Sequence, residues 1–167
     1  MSRPALARAV PSAAGLRFAL VVSSYHDDIT SRLESGARDV LAQAGVAADD
    51  IEQLSVPGAF ELPFAARIAA VSRRVDGVVC LGCLVKGETP HFDHIASAVA
   101  HGIMQASLAT GVPMAFGVLT TNNLEEADAR VQPGSGNKGF EAGQAAIEMA
   151  VLAQQWGGPR PLPGTRV

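Results

Sequence analysis

Charged residues are scarce in this sequence, and their signs nearly balance. Only 17% of the 167 residues are Asp, Glu, Lys or Arg, and the net charge is −3. A weakly acidic chain lacks the basic surface that general nucleic-acid binding requires, so we expect no nucleic-acid partner. Apolar residues make up 48% of the chain, which is typical of a globular domain and not of a disordered one. So few charges also suggest that identical subunits cover part of the surface.

Long hydrophobic runs are absent as well. No apolar stretch reaches the length that spans a membrane, so we expect no membrane partner. Residues 1–15 are rich in alanine, but Arg8 and Pro11 interrupt what would be the apolar core of a secretion signal. We interpret residues 1–15 as a flexible or partner-bound arm on a cytoplasmic protein, residues 16–156 as a single domain, and residues 157–167 as a loose tail rich in Gly and Pro.

Cysteine is equally rare, since the chain has only Cys80 and Cys83, in a C-x-x-C spacing. Both lie inside an apolar run that predicts a buried strand. Residues three apart in a strand face opposite sides and lie roughly 10 Å apart, too far for a disulfide. Structural zinc requires four ligands, usually from a second pair. We therefore expect two buried thiols and no metal site.

Short apolar segments alternate with helical patterns along the chain. Residues 16–23, 51–56, 76–85 and 112–118 predict strands, and the first and third are continuous apolar runs, as expected when both faces of a sheet are covered. Apolar periodicity predicts helices over residues 27–44, 62–73, 89–110, 124–130 and 137–156. Asp27 or Asp28 is the expected cap of the first helix, and Asn122 or Asn123 that of the fourth. The alternation predicts a parallel sheet with helices on both faces.

The most unusual residues follow the predicted strands, at the carboxyl ends where parallel sheets bind ligands. After the third strand, a glycine turn at residues 87–93 opens a helix. Backbone N–H groups at such a helix start bind anions, and Lys86 and Thr89 add a cation and a hydroxyl group. His91 exchanges protons near neutral pH. Phosphate binding beside a proton-transfer group indicates an enzyme that acts on a small phosphorylated molecule.

Two further residues at this edge leave alternatives open. Tyr25, the only tyrosine, follows the first strand and suits either stacking on a flat heterocycle or packing on the edge of the sheet. Glu61 lies between Phe60 and Leu62, in apolar surroundings where a carboxylate needs a partner. Substrate hydroxyl or amino groups and the adjacent helix start are equally suitable partners for it.

Four motifs in order resemble the lumazine synthase family from about residue 17 to residue 156. They are VPGAFELP at residues 56–63, GETPHFD at 87–93, FGVLTT at 116–121 and GNKG at 136–139. The resemblance implies an α/β fold, a flavodoxin-like three-layer sandwich with a mainly four-stranded parallel sheet flanked by helices. It implies condensation of 5-amino-6-(D-ribitylamino)uracil with 3,4-dihydroxy-2-butanone 4-phosphate, with release of phosphate and water, as the penultimate step of riboflavin biosynthesis. No cofactor and no metal are implied.

The resemblance also implies a role for each site residue. His91 matches the proposed acid–base residue, and Glu88, Thr89 and Arg130 match phosphate-binding positions. The positions that bind the pyrimidine and its ribityl chain are Tyr25, Ala59, Phe60, Glu61, Leu84, Val85, Phe116 and Lys138. In the family, the residues matched by Phe116, Arg130 and Lys138 come from a neighbouring subunit.

This chain departs from the family pattern at three places. His26 stands where asparagine is common, and Lys86 stands where arginine is common. Val131, Gln132 and Pro133 replace a more usual Ala-Gly-Thr. The departures leave the matched aromatic at Tyr25 and the matched cation at Arg130 in place.

A shared site implies a homo-oligomer of at least five chains. Residues 130–138 carry no insertion of the kind found in relatives that stop at pentamers, which favours a sixty-subunit shell, with riboflavin synthase as a candidate partner. Two alternatives share the architecture. An archaeal-type riboflavin synthase would not require the phosphate turn, which this chain has. A non-catalytic flavin-binding or shell-forming protein would lack His91, Glu61 or Arg130, and all three are present.

Overall fold

Four parallel strands form a single sheet at the centre of the molecule. The computed structural model describes residues 9–158. In them the strand order is β2-β1-β3-β4, so β1 and β3 are central and β2 and β4 are edges. The strands are β1 Phe18–Ser23, β2 Ile51–Val56, β3 Gly77–Val85 and β4 Met114–Thr121. The predicted parallel sheet is confirmed.

Helices cover both faces of the sheet, as the sequence predicts. They are α1 Asp27–Gln43, α2 Leu62–Val71, α3 His91–Thr110, α4 Leu124–Ala129 and α5 Lys138–Gln155, with short 3₁₀ turns at Ala48–Asp50 and Ala59–Glu61. One core lies between the sheet and α1 and α5, around Leu33 and Ile147. The other lies between the sheet and α2 and α3, around Leu62 and Ile103. The result is the expected three-layer α/β sandwich.

The cysteines of β3 face opposite layers, as their spacing predicts. Cys83 belongs to the core beneath α1 and α5, and Cys80 to the core beneath α2 and α3. Both thiols are free and buried. Burial raises the pKa of Cys80 to about 12, which keeps this thiol protonated at neutral pH.

The predicted cap of α1 is wrong. The N-cap is His26, in a left-handed conformation with φ 59° and ψ 53°, and it makes no capping hydrogen bond through its side chain. Asp27 and Asp28 fall in the first turn instead, where a negative charge interacts favourably with the helix dipole. Asn123 caps α4, since its side chain accepts a hydrogen bond from the Glu126 N–H at 2.8 Å.

Several element boundaries differ from the prediction by two or three residues, and two of them adjoin the predicted site. Helix α3 begins at His91, two residues later than expected, with Pro90 as its N-cap. Strand β4 continues to Thr121, three residues further than expected, because it pairs with β3 as far as the Val85–Thr121 pair. Phe116 lies within this edge strand.

The described part of the predicted N-terminal arm contacts the protein's own core. Ala13 is buried, and its N–H donates to the Ala44 carbonyl at 2.8 Å. Val10 packs against the core beneath α1 and α5. Residues 1–8 of the arm and residues 159–167 of the tail lie outside the described residues. Among residues 9–158, the helices all fall short of the length and apolarity needed to cross a bilayer.

Candidate active site

A cavity of about 580 Å³ opens at the carboxyl ends of β1, β2 and β3. We call it the first cleft. In an open parallel sheet, ligands bind at this edge, in the crevice where the strand order reverses. The order β2-β1-β3-β4 places that crevice between β1 and β3. The predicted site residues that line the first cleft are Tyr25, Ala59, Phe60, Glu61, Leu84, Val85, Thr89 and His91.

Tyr25 stands at the mouth of the first cleft with its ring largely free. The residue before it, Ser24, is fixed to the end of β2, since its N–H donates to the Val56 carbonyl at 2.8 Å. The Tyr25 side chain is 66% exposed, so it does not pack on the edge of the sheet. The only ring close to it among the described residues is that of His26, 4.7 Å away between centroids at an interplanar angle of 76°. A flat heterocycle therefore has access to the face of Tyr25.

Glu61 also faces the first cleft without a partner. It is the N-cap residue of α2, yet its carboxylate makes no capping hydrogen bond. It takes part in none of the ion pairs found within residues 9–158. The adjacent Phe60 is 58% exposed, an unusual state for a large apolar side chain. A carboxylate acceptor and an apolar surface thus lie side by side, and within residues 9–158 the carboxylate has no hydrogen-bonding or ionic partner.

The glycine turn forms another wall of the first cleft. Residues 86–91 are exposed, and Gly87, Thr89 and His91 line the cavity, whereas Glu88 and Lys86 do not. Helix α3 begins at His91, so the N–H groups of its first turn have no acceptor within the helix. These groups and the Thr89 hydroxyl are suitable donors to a phosphate. The His91 imidazole, at the same helix start, is within the same cavity as the Tyr25 ring.

Phe116, Arg130 and Lys138 lie elsewhere, in a second cleft of about 360 Å³ along the edge strand β4 and the start of α5. Phe116 is 46% exposed on β4. Arg130 follows α4, and its Nη1 donates to the Glu126 carbonyl at 2.7 Å. Lys138 begins α5, and its Nζ contacts both carboxylate oxygens of Glu141, at 2.9 and 2.7 Å.

The position of Lys138 depends on close packing between α1 and α5. Asn137 caps α5 by accepting from the Gly139 N–H at 2.8 Å, and its own amide donates to the Arg32 and Val131 carbonyls. A Cβ atom on Gly139 would overlap the carbonyl of Leu33. The first turn of α5 is therefore anchored on both sides, which fixes the direction in which Lys138 leaves the helix.

The two clefts share no lining residue. One chain therefore does not bring the cations Arg130 and Lys138 together with Tyr25 and His91. Strand order alone placed Tyr25, Glu61 and His91 at the carboxyl edge of the sheet, and only the family resemblance added Phe116, Arg130 and Lys138 to the site. The resemblance, which assigned Phe116, Arg130 and Lys138 to a neighbouring subunit, agrees with this separation.

Several lining residues were not among the predicted site residues. His26, Gly58, Cys83, Phe92 and Ile95 line the first cleft. Helical spacing offered a signal for Glu141, which lines the second cleft three residues after Lys138, because residues three apart are neighbours on a helix. Nothing in the local pattern marks Cys83, which looks like any other core position of β3.

Electrostatics distinguish the groups near each cleft. Burial, with a smaller contribution from the Asp28 charge, raises the pKa of the Cys83 thiol to about 11, so it is a neutral wall of the first cleft. Hydrogen bonds from the Asn122 backbone and side chain lower the pKa of Glu126, and Arg130 adds to this effect. Within residues 9–158 no three His, Cys, Asp or Glu side chains are grouped closely enough to hold a metal ion.

Comparison with known proteins adds an independent finding. Residues 15–154 match the family model described as 6,7-dimethyl-8-ribityllumazine synthase. Proteins of that name from Syntrophus aciditrophicus and Chlorobaculum tepidum are each 49% identical to this chain, over 143 and 144 residues, which is 86% of this chain and 93% of each relative. The protein of that name from Clostridium kluyveri is 45% identical over 144 residues, 86% of this chain and 94% of the relative. The matched region contains both clefts.

Proposed function

The chain belongs to the 6,7-dimethyl-8-ribityllumazine synthase family, and we propose that its two clefts are the two halves of one active site, completed between neighbouring copies. The enzyme is a transferase that condenses 5-amino-6-(D-ribitylamino)uracil with 3,4-dihydroxy-2-butanone 4-phosphate and releases phosphate and water, in riboflavin biosynthesis. No observation favours the riboflavin synthase or the non-catalytic alternative. The separation of the clefts within one chain supports the shared site.

In the proposed site, the first cleft binds the pyrimidine. The exposed face of Tyr25 stacks on the ring, with an attraction typical of aromatic pairs. The ribityl hydroxyl groups donate to the unpaired Glu61 carboxylate, beside Ala59 and Phe60. Backbone groups of Leu84 and Val85, at the end of β3, contact the pyrimidine edge. The two substrates are then held side by side, which supplies much of the acceleration in a condensation that proceeds slowly without help.

The phosphate of the second substrate lies at the start of α3. The turn N–H groups and the Thr89 hydroxyl donate to it, and Arg130 of a neighbouring copy supplies the charge that its dianion requires. Lys138 of that copy approaches the pyrimidine, with Phe116 beside it. Glu88 contributes through its backbone, because its side chain does not line the cavity.

His91 transfers protons in each stage of the reaction. The substrate amine attacks the ketone and water leaves as an imine forms. Loss of a proton from the carbon that bears the hydroxyl group then expels phosphate, which departs with the electron pair of its carbon–oxygen bond, and the resulting enol tautomerises to a new ketone. The second amine closes the ring on this ketone, and a second water leaves. Each stage adds a proton to a leaving oxygen and removes one from nitrogen or carbon, which suits an imidazole because one ring nitrogen donates a proton while the other accepts one.

One assay tests the proposed reaction directly. Purified protein is mixed with both substrates while lumazine absorbance and free phosphate are followed together. We expect both signals to rise in equal molar amounts, faster than in the protein-free mixture. Phosphate release without lumazine, or neither signal above the protein-free rate, would contradict the function.

Light scattering on the native protein tests the shared site. We expect a mass several times that of the 17.2 kDa chain, corresponding to a pentamer or to a sixty-subunit shell. We propose a cytoplasmic location for this assembly. The uninterrupted segment 130–138 supports the shell, and an enclosed riboflavin synthase is the partner that we propose for it. A fully active species with the mass of one chain would refute the shared site, whereas a stable active pentamer would refute only the shell.

A further inference from the structure

His26 is a titratable residue of the first cleft to which neither the family resemblance nor the proposed reaction gives a role. It lines the cavity together with Tyr25. Its ring meets the Tyr25 ring edge to face, at 4.7 Å and 76°. Aromatic pairs prefer this geometry because the positive edge of one ring meets the negative face of the other. No other aromatic contact to Tyr25 occurs within residues 9–158.

The backbone on either side of Tyr25 is held from two directions. Before it, the Ser24 hydroxyl donates to the Val56 and Pro57 carbonyls at 3.2 and 3.3 Å. After it, the His26 carbonyl accepts from the N–H groups of Ile29 and Thr30, both at 3.0 Å. The backbone of residue 25 is thus fixed, whereas its side chain, 66% exposed, has little protein around it. The direction of the Tyr25 ring depends on what its side chain touches.

The conformation of His26 carries a cost that its backbone role alone does not require. Its φ of 59° lies in the left-handed region, which costs an ordinary L-residue roughly 1–2 kcal/mol and which glycine and asparagine adopt more readily. Residues held in such conformations cluster at functional sites, where the surrounding structure determines them. The left-handed turn directs the His26 ring against Tyr25, where neither glycine nor asparagine would offer an aromatic edge.

We propose that His26 is a positioning residue: its ring holds Tyr25 in the orientation that stacks on the pyrimidine. The inference rests on the proposed function, because it concerns the same pyrimidine site. His26 acts through Tyr25 and not on the reacting atoms. Its removal therefore weakens binding of the pyrimidine and leaves the butanone phosphate and the proton transfers of His91 unaffected.

His26→Asn separates this role from a structural one. Asparagine adopts the left-handed conformation readily. We therefore expect the midpoint of thermal unfolding of the assembled protein to be unchanged or raised. The dissociation constant of the pyrimidine substrate alone, measured by calorimetry, should rise about twofold to tenfold, the range of one aromatic pair. The KM for the butanone phosphate should change by less than about twofold. If His26 served only to cap α1, the dissociation constant of the pyrimidine would not change, because asparagine keeps the backbone carbonyl that caps the helix.

A double-mutant cycle shows whether His26 acts through Tyr25. In a Tyr25→Ala background, His26→Asn should cause no further loss of pyrimidine binding, because the ring it positions is gone. His26→Phe, which keeps an aromatic edge, should retain most of the wild-type affinity. Unchanged pyrimidine binding in His26→Asn, or an equal loss in both backgrounds, would overturn the inference. Wild-type protein that makes no lumazine would instead overturn the proposed function, so the two failures are distinguishable.

Discussion

The two clefts differ in how many of their functional groups already have partners. In the first cleft, the Glu61 carboxylate has no hydrogen-bonding or ionic partner within residues 9–158, and the only aromatic ring that the Tyr25 ring contacts there is that of His26. In the second cleft, Lys138 is paired with Glu141, and Arg130 with the Glu126 carbonyl. The first cleft therefore presents groups that are free to bind a ligand, whereas the cations of the second cleft are already held in place by contacts within the chain. Such a difference is expected when the first cleft binds the substrate and the second cleft, from a neighbouring copy, completes the site.

The origin of the difference is the place of each cleft in the sheet. The first cleft lies where two central strands end and their loops diverge, which creates a crevice without distorting any strand. The second lies on an edge strand, β4, and on the anchored first turn of α5. A surface on an edge strand lies away from the crevice of its own chain, which is the arrangement that the proposed shared site requires.

The largest effect that we expect tests whether the clefts cooperate between chains. Glu61→Lys alters only the first cleft and Arg130→Glu only the second, and both residues are exposed, so neither change should impair folding. Each variant alone should lose activity by about a hundredfold or more, because Glu61→Lys removes the acceptor for the ribityl hydroxyl groups and Arg130→Glu places a negative charge against the phosphate. Co-expressed together, they should regain up to about a quarter of wild-type activity, because random assembly pairs intact halves at that frequency.

The matched control for this experiment is a mixture damaged in one cleft only. Co-expression of Glu61→Lys with Glu61→Ala should give no more activity than the more active of the two variants has by itself. Failure of the Glu61→Lys and Arg130→Glu pair to complement, in particles that contain both chains, would show that each chain uses its own two clefts separately.

A smaller loss is expected from His91→Ala in the first cleft. The turnover number should fall about tenfold to a thousandfold, at or below the usual range for a positioned acid–base group. His94→Ala is the control, because His94 is exposed on the same helix but does not line the cavity. Steady-state kinetics on both variants check this prediction, and full activity of His91→Ala would remove His91 from the mechanism.

In the second cleft, Arg130→Ala should act on one substrate only. The expected cost is about 1.5–3 kcal/mol, typical of hydrogen bonds to charged groups, or about tenfold to a hundredfold in the KM for the butanone phosphate. The KM for the pyrimidine should change little. Arg32→Ala is a suitable control, since Arg32 pairs with Asp128 nearby but does not line the cleft. Equal effects on both substrates would count against the assignment of Arg130 to the phosphate.

The smallest effect is expected at the thiols. Cys83 lines the first cleft, but burial raises its pKa to about 11, so Cys83→Ala should change kcat/KM by less than about twofold between pH 6 and 8. Folded Cys80 and Cys83 retain their protons to higher pH than unfolded thiols. The free energy of unfolding should therefore fall as the pH rises from about 9 towards 11. Urea titrations of wild type and a double Cys→Ala variant measure this slope, which should be shallower in the variant.

Much of the fold follows from local patterns in the sequence. The continuous apolar runs of β1 and β3 predicted central strands because helices cover both of their faces. The cap of α1 was mispredicted because two aspartates stand next to the position that a histidine occupies. No periodic pattern in the sequence predicts a left-handed backbone conformation at His26. Ordinary N-cap preferences also favour aspartate over histidine.

The candidate site was predictable only in part, because local patterns locate only those residues that the order of the strands brings together. The residues of the first cleft follow successive strands, so the topology brings them together. The second cleft combines residues along β4 with Arg130 and Lys138, which follow at a distance in the sequence, and no local pattern indicates that these positions meet. Which residues meet across an interface depends on a second molecule, and only the family resemblance carried that information.

The outer edge of strand β4 affects how a folded chain behaves before it associates with other copies. Within residues 9–158 the outer edge of β4 pairs with no other strand and lies next to the exposed Phe116 ring, the combination that invites incorrect pairing between chains. Aggregation and association into the proposed shared-site assembly both accelerate with concentration, so slower synthesis does not by itself favour the right product. In that proposal, the surface of β4 and α5 that meets the neighbouring copy selects the right partner, and a substitution that weakens this contact should reduce the yield of native protein before it reduces the rate of catalysis.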